Sequence, residues 1–191
     1  HMFINGQWLQ AASDQQFDVT NPATGELIEQ VADGGSAEAS AAIDAAEAAF
    51  PGWAGQTAFA RADILRRAYD LMVERKEQLA TIMTTEQGKP LKAARVECQY
   101  AADFLLWFSE EAKRVYGDIL PSPRKDQRFF VLRQPVGIVG AITPWNYPVS
   151  MLTRKIAPAL AAGCTIVLTP AEATPLCAIE VCKILQEAGV P

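Results

Sequence analysis

The chain has 191 residues, half of them hydrophobic and a fifth charged, which is typical of a soluble globular protein of one large domain or one and a half small ones. Its net charge of −5 disfavours nucleic acids and anionic membranes as partners, because both require a basic surface. Four cysteines without a CxxC pair and a single histidine argue against a zinc site and favour a reducing, cytoplasmic compartment.

Residues 3–32 have the pattern of short strands separated by turns. Asn5 and Gly6 predict a tight hairpin turn. Residues 21–25, which include a proline and a glycine, predict a loop between strands at residues 17–20 and 27–31. We therefore expect β-hairpins in this part of the chain.

From Ser36 onward the hydrophobic pattern becomes helical. We predict four helices: one capped by Ser36 and stopped by Pro51, one capped by Thr57, one over residues 76–87 that Gly88 ends, and one from about residue 90 to Gly117. The fourth carries an aromatic and aliphatic stripe, which we expect to pack against other helices and not to hold a cofactor: Tyr100, Phe104, Trp107, Phe108 and Val115.

Two prolines, Pro121 and Pro123, break this helical pattern. Residues 129–133 then read as a strand, which we expect to pair with another domain or another subunit. The next elements form a βαβ unit: an apolar strand at 136–142, a helix at 151–163 closed by Gly163, and an apolar strand at 164–168. A last helix is predicted at residues 175–188.

Polar and aromatic residues follow both strands of the βαβ unit, where open α/β sheets bind their ligands. The markers there are residues 143–148 (TPWNYP), residues 158–164 (PALAAGC) and residues 169–172 (TPAE). Further markers are residues 86–91, 107–111, 116–118 and 153–155. In these residues the chain resembles the amino-terminal part of NAD(P)-dependent aldehyde dehydrogenases, most closely the succinate-semialdehyde dehydrogenases.

The resemblance covers residues 3–191 and implies an α/β fold with an incomplete Rossmann-like coenzyme-binding domain. Residues 3–120 would supply hairpins and helices of that domain. Residues 121–135 would form the bridging strand region through which such enzymes form homo-oligomers, and residues 136–191 the first part of the Rossmann-like unit.

The resemblance also implies catalytic and substrate-binding residues. Asn146 would donate its side-chain amide to the oxyanion that forms when a thiolate attacks the aldehyde; the alternative is an Asx turn that ends the strand. Arg154 would bind a carboxylate at the far end of the substrate, although an arginine there can also be a solvated surface charge. Lys155 would lie near the catalytic centre and orient groups or relay protons.

The expected cofactor is NAD, with NADP less favoured. Glu172 would accept hydrogen bonds from the ribose hydroxyls and repel a 2′-phosphate; the alternative is an acidic residue in the first turn of the next helix. Thr169 stands where the family has a lysine, so we expect weakened coenzyme binding. The residues implied in cofactor binding are Ile142, Thr143, Pro144, Trp145, Asn146, Thr169, Pro170, Ala171 and Glu172.

The implied activity is oxidation of an aldehyde, such as succinate semialdehyde, through a thiohemiacetal and hydride transfer to NAD. The family's nucleophilic cysteine, general-base glutamate and glycine-rich turn are expected outside these 191 residues, so the chain alone is expected to be inactive. The alternative is a non-catalytic fragment or interaction module that pairs with a dehydrogenase subunit. An unrelated Rossmann-type binder is disfavoured, because no GxGxxG follows either strand.

Overall fold

Two antiparallel hairpins begin the chain in the computed structural model, which describes residues 1–191. The first joins β1 (Met2–Ile4) to β2 (Gln7–Leu9), and the second joins β3 (Gln16–Thr20) to β4 (Leu27–Ala32). Asn5 and Gly6 have φ angles of 52° and 73°, the left-handed pair that a two-residue turn between twisted strands requires. Both predicted hairpins are confirmed.

The first helix, α1 (Ser36–Ala54), corrects two predictions. Gly35 and not Ser36 is the N-cap, and its amide donates to Glu38 Oε2 at 2.7 Å. Pro51 does not stop the helix but lies inside it. The last turn persists because Trp53 is buried and its indole N–H donates to the carbonyl of Leu160 at 3.1 Å. Tertiary packing thus outweighs the local preference of proline.

Three helices follow, close to their predicted positions. They are α2 (Ala58–Glu74), capped by Thr57, then α3 (Lys76–Gln87), ended by Gly88, and α4 (Leu91–Glu111). Thr57 Oγ1 accepts from the amide of Ala60 at 3.2 Å, and Gly88 has a φ of 79°. The predicted end of α4 at Gly117 is wrong, since the α-helix ends at Glu111 and one 3₁₀ turn, Ala112–Arg114, follows.

The aromatic stripe of α4 is only partly a packing face. Phe104 and Phe108 contact the core, whereas Tyr100 and Trp107 are 50% and 64% exposed and Val115 is exposed as well. The face that α4 buries is made mostly of small residues: Ala94, Glu97, Cys98, Ala101, Ala102, Leu105 and Ser109. Small side chains allow α2 and α5 to approach α4 closely, and the bulky aromatic residues lie at the margins of that contact.

A two-stranded ribbon follows the 3₁₀ turn. Its strands are β5 (Asp118–Leu120) and β6 (Phe129–Val131), paired antiparallel with Asp118 opposite Val131. The strand predicted at residues 129–133 exists in shorter form, and its partner within the chain, β5, was not predicted because three residues carry too little pattern. All six strand residues are exposed.

The last third of the chain forms the predicted βαβ unit. Strand β7 (Ile138–Ile142), helix α5 (Ser150–Ala161) and strand β8 (Thr165–Thr169) precede α6 (Pro175–Ala188). The strands are parallel, with Ile138 opposite Thr165 and Ile142 opposite Thr169. In β8, Ile166 and Leu168 pack against the core formed with the helices, whereas Thr165 donates its hydroxyl to Ala46 in α1 at 2.8 Å. Most of α1 therefore packs on the face of the sheet opposite to α5 and α6, while Trp53 near its end reaches Leu160 of α5.

None of the helices is long and apolar enough to span a membrane.

Candidate functional site

The carboxyl ends of β7 and β8 meet at one edge of the sheet. Ile142 pairs with Thr169, and the amide of Thr143 donates to the carbonyl of Thr169 at 3.1 Å. This register brings together the two segments that were predicted to bind a cofactor. We call residues 143–149 the β7 turn and residues 170–174 the β8 turn.

Two side chains from the junction of α3 and α4 hold the backbone of the β7 turn. Gln87 Nε2 donates to the carbonyls of Trp145 and Asn146 at 3.1 and 3.0 Å, and Lys89 Nζ donates to the carbonyl of Asn146 at 3.0 Å. The ammonium of Lys89 also lies 4.2 Å from the ring centroid of Tyr147, within cation–π distance. The turn therefore has a fixed backbone although most of its side chains are exposed.

Glu97, which is buried in α4, completes this arrangement. One of its carboxylate oxygens pairs with Lys89 Nζ, and the other accepts from the amides of Val149 and Ser150 at 3.0 and 3.2 Å. Those amides are the first of α5, where the helix dipole favours a negative charge. Glu97 thus caps the helix that follows the β7 turn and also orients the lysine that holds the turn.

The β8 turn has a similar cap without a cation. Glu86, at the end of α3, accepts from the amides of Leu176 and Cys177 at 2.8 Å each. Burial raises the pKa of the Glu86 carboxyl. Because side-chain carboxylates occupy the amino termini of both α5 and α6, neither helix end is free to bind a pyrophosphate.

The carboxyl ends of the same two helices contact arginines of α2. Arg61, which is buried, donates from Nε to the carbonyl of Ala161 at 3.3 Å, and Arg67 donates to the carbonyl of Ala188 at 3.4 Å. Burial lowers the pKa of the Arg61 guanidinium. Each helix of the site therefore has an acidic side chain at its amino end and a basic one at its carboxyl end, as its dipole favours.

Asn146 itself is exposed, and its side chain makes no hydrogen bond within the chain. An Asx turn looks different: Asn21 Oδ1 accepts from the amide of Ala23 at 2.9 Å. Trp145, beside Asn146, is 59% exposed. The geometry of the β7 turn thus gives no support to the alternative that Asn146 only ends the strand, and its amide is free to bind a ligand.

The other predicted residues lie on α5 and in the β8 turn. Arg154 is exposed and Lys155 half-buried in the first half of α5, and neither forms an ion pair within the chain. Thr169 and Glu172 are exposed, with Pro170 and Ala171 between them half-buried. Since α6 begins at Pro175, Glu172 lies before the helix and not in its first turn. These side chains are available to a ligand.

Comparison with known proteins decides the family. The family model described as "Aldehyde dehydrogenase family" matches residues 8–191. The chain belongs to the aldehyde dehydrogenase family. It is 52% identical over 189 residues to glutarate-semialdehyde dehydrogenase of Pseudomonas putida, covering 99% of this chain and 39% of that protein. It is also 52% identical over 188 residues to the Escherichia coli protein named succinate-semialdehyde dehydrogenase [NADP(+)], covering 98% of this chain and 39% of that one.

Solved aldehyde dehydrogenase structures agree with this assignment. An NADP-dependent enzyme of E. coli superposes with a TM-score of 0.98 at 51% identity, covering 99% of this chain and 39% of that one. A betaine aldehyde dehydrogenase of Staphylococcus aureus in complex with NAD⁺ has a TM-score of 0.96 at 36% identity, covering 99% and 39%. The predicted family and fold are confirmed. The chain spans about two fifths of these relatives, and the roles of single residues stay predictions.

Sequence reasoning missed the residues that hold the β7 turn. Gln87 and Lys89 belong to a segment noted only as a family marker, and Glu97 was not singled out. The available signal was an acidic residue on the face of α4 that otherwise buries alanines and Leu105. A carboxylate in such a position needs partners, and they lie 52 and 53 residues further along the chain.

The four cysteines do not have the character of a nucleophile. Cys98, Cys164 and Cys177 are buried and Cys182 is half-buried. Burial raises the pKa of the Cys98 thiol and of the Cys182 thiol to about 12 each, and it also raises the pKa of the Cys177 thiol. Thiols of this kind carry almost no thiolate at neutral pH.

Proposed function

We propose that the protein carrying this chain is an NAD-dependent dehydrogenase that oxidises a carboxylate-bearing semialdehyde, such as succinate semialdehyde, to the acid. The observation that carries the proposal is the free side-chain amide of Asn146 on a backbone that Gln87 and Lys89 hold. A donor carried on a backbone that is fixed before the reaction stabilises a developing oxyanion at a lower reorganisation cost.

The reaction converts aldehyde, water and NAD⁺ into acid, NADH and a proton. A cysteine thiolate adds to the aldehyde carbon, and the carbonyl oxygen becomes an oxyanion that accepts from the amide of Asn146. The thiohemiacetal then loses hydride to become a thioester, which water hydrolyses to free acid and thiol. NAD, when bound, is the hydride acceptor.

The nucleophile of this reaction comes from residues beyond these 191. The raised pKa values of Cys98, Cys177 and Cys182 and the burial of Cys164 support this part of the proposal. The family's general-base glutamate is likewise proposed to lie outside these 191 residues, as the family resemblance implies. The isolated chain is therefore expected not to turn over NAD and succinate semialdehyde, and any turnover would contradict this part.

Arg154 is the proposed ligand of the substrate carboxylate. Its guanidinium is exposed, unpaired within the chain, and carried by the helix that begins directly after the β7 turn. Relatives at 52% identity are named as dehydrogenases of glutarate and succinate semialdehyde, both of which end in a carboxylate. A planar guanidinium binds a carboxylate through two parallel hydrogen bonds. Lys155, half-buried beside Arg154, is proposed to orient groups near the reacting carbon.

Exposed groups at the two strand ends suit a dinucleotide. The indole of Trp145 offers an apolar surface, the backbone of Ile142 and Thr143 lies beside it, and Glu172 offers a carboxylate to ribose hydroxyls. Glu172 also disfavours a 2′-phosphate, so NAD is proposed over NADP. Thr169 contributes a hydroxyl but no positive charge, which weakens the binding of either coenzyme.

The complete protein is proposed to be a homo-oligomer, with the β5–β6 ribbon at a subunit contact. Ile119 and Phe130 are each 67% exposed, and Leu132, which follows the ribbon, is 78% exposed. Apolar side chains on a two-stranded ribbon are unfavourable in water, and they can be buried when the ribbon packs against a second sheet. The native mass of the complete protein tests this, since a monomer would contradict it.

The substrate proposal is tested by kinetics on the complete dehydrogenase that carries this chain. Arg154→Met is expected to lower kcat/KM for succinate semialdehyde by roughly ten- to a hundredfold, the loss of about 1.5–3 kcal/mol in charge-assisted hydrogen bonds. Butanal, which lacks the carboxylate, should lose nothing. Arg66→Met, which changes an exposed arginine of α2, is the control. Equal losses for both aldehydes, or no loss for either, would contradict the role of Arg154.

A further inference from the structure

The β7 turn has no regular secondary structure of its own, and yet its backbone is held from two sides. Three hydrogen bonds reach the carbonyls of Trp145 and Asn146, all from side chains of Gln87 and Lys89. On the other side, Glu97 accepts from the amides of Val149 and Ser150. Every one of these contacts spans more than fifty residues of sequence.

Lys89 is the link between the two sides. Its ammonium contacts the Asn146 carbonyl, the Glu97 carboxylate and the face of the Tyr147 ring. The side chain of Lys89 is 14% exposed and that of Glu97 is 1% exposed, so solvent screens this pair little. Because the lysine side chain is flexible and its three donors rotate, Lys89 keeps one defined position only when its partners fix it.

We propose that Lys89, oriented by Glu97, is a positioning residue that sets the direction of the Asn146 amide. The inference rests on the proposed oxyanion role of Asn146. Lys89 does not touch the substrate, because its ammonium is already directed at the Asn146 carbonyl, the Glu97 carboxylate and the face of the Tyr147 ring. It acts through the peptide unit, since a carbonyl fixed by Lys89 and Gln87 fixes the Cα–Cβ bond from which the amide extends.

A positioning role of Lys89 predicts a kinetic result that a general loss of folding stability would not produce. If Lys89 acts only through Asn146, its removal lowers the rate when the Asn146 amide is present and has no effect when that amide is gone. Misplacement of a reacting group by about 1 Å can lower the rate up to about a hundredfold. Binding of NAD should change less than the rate, because it depends mostly on groups that Lys89 does not contact. The Trp145 carbonyl is held by Gln87, and Thr169 and the β8 turn lie at the end of the other strand.

The test is a double-mutant cycle on the complete dehydrogenase that carries this chain, with Lys89→Met, Asn146→Ala and the two combined. We expect Lys89→Met to lower kcat roughly ten- to a hundredfold, with a smaller change in the Kd of NAD. In the Asn146→Ala background, Lys89→Met should lower kcat by less than about twofold. Lys89→Arg should restore most of the rate. Lys92→Met, which changes an exposed lysine in the first turn of α4, is the control and should leave kcat unchanged.

Independent losses that multiply in the double variant would overturn the inference, and so would an unchanged kcat in Lys89→Met. Gln87→Leu, which removes the other donor to the same carbonyls, serves where Lys89→Met does not fold and should show the same dependence on Asn146. Failure of the proposed function has a separate signature. It appears as absent aldehyde oxidation in the unmodified enzyme, or as a full rate in Asn146→Ala, before Lys89 is changed at all.

Discussion

The β7 turn and the β8 turn have the same place in the fold and differ in how they are held. Each follows a parallel strand and leads into a helix whose first amides are capped by a buried glutamate of the α3–α4 pair. Only in the β7 turn do side chains, those of Gln87 and Lys89, also donate to backbone carbonyls. Only the β7-side glutamate, Glu97, has a cationic partner.

This difference matches the two proposed tasks. An oxyanion donor must keep its direction during the reaction, which favours a backbone held from both sides. Residues that select a coenzyme need to meet a large ligand, which favours exposed side chains such as those of Thr169 and Glu172. Residues of α3, of α4 and of the junction between them supply the contacts in both cases, so these two helices support the site and are not only part of the core.

The largest expected effect is on stability at the β7 turn. Glu97→Ala leaves two buried amides and the Lys89 ammonium without their partner, which should lower the free energy of unfolding by about 3–5 kcal/mol. Urea unfolding measures this. Glu110→Ala, which removes an exposed Glu–Lys pair on the same helix, should lower it by less than about 1 kcal/mol. Equal losses in the two variants would show that Glu97 does not hold the turn.

A smaller effect is expected at the β8 turn. Thr169→Lys adds a cation beside the proposed coenzyme site and should tighten NAD binding by about 1.5–3 kcal/mol, with a larger gain for NADP because of its 2′-phosphate. Titration of both coenzymes into the complete dehydrogenase measures this. Thr169→Met, of similar length and without charge, should give no gain. Unchanged affinity for both coenzymes in Thr169→Lys would show that Thr169 does not lie in the coenzyme site.

The smallest effect is the pH dependence of the contribution that the Glu86 cap makes to stability. Because the folded-state pKa of Glu86 is raised by burial, its contribution to stability is complete below the unfolded-state pKa of about 4.5 and is lost as the pH rises through the higher folded-state pKa. The free energy of unfolding relative to Glu86→Gln should therefore fall as the pH rises above about 4.5, by less than about 1.4 kcal/mol per pH unit.

The control for the pH dependence is Glu77→Gln. The hydrogen bond with Arg95 lowers the pKa of the Glu77 carboxyl, so its contribution is lost only as the pH falls and the difference should be flat above about pH 5. A wild-type advantage over Glu86→Gln that stays constant or grows with pH would contradict the burial argument for the β8-side cap.

Features with a local cause were predictable from the sequence. The turn at Asn5 and Gly6, the Thr57 cap and the Gly88 terminus each depend on a few neighbouring residues, and the structure has them where expected. The βαβ unit was predictable because two apolar runs flank one helical pattern. The candidate ligand groups followed from the family resemblance at the strand ends, and the structure brings those segments together.

Features with a distant cause were not predictable. The continuation of α1 past Pro51 depends on a buried Trp53 whose partner, Leu160, lies 107 residues away. The exposure of Trp107 depends on which face of α4 the neighbouring helices occupy, and periodicity alone does not choose between the faces. The roles of Lys89 and Glu97 depend on contacts with a turn more than fifty residues away.

Backbone ¹⁵N relaxation tests most directly the claim that Lys89 fixes the β7 turn and not the β8 turn. We expect order parameters near 0.85 at Trp145 and Asn146, falling towards 0.6 in Lys89→Met, while Ala171 and Glu172 keep their values. Unchanged order parameters at Asn146 in Lys89→Met, or an equal fall in both turns, would contradict the account.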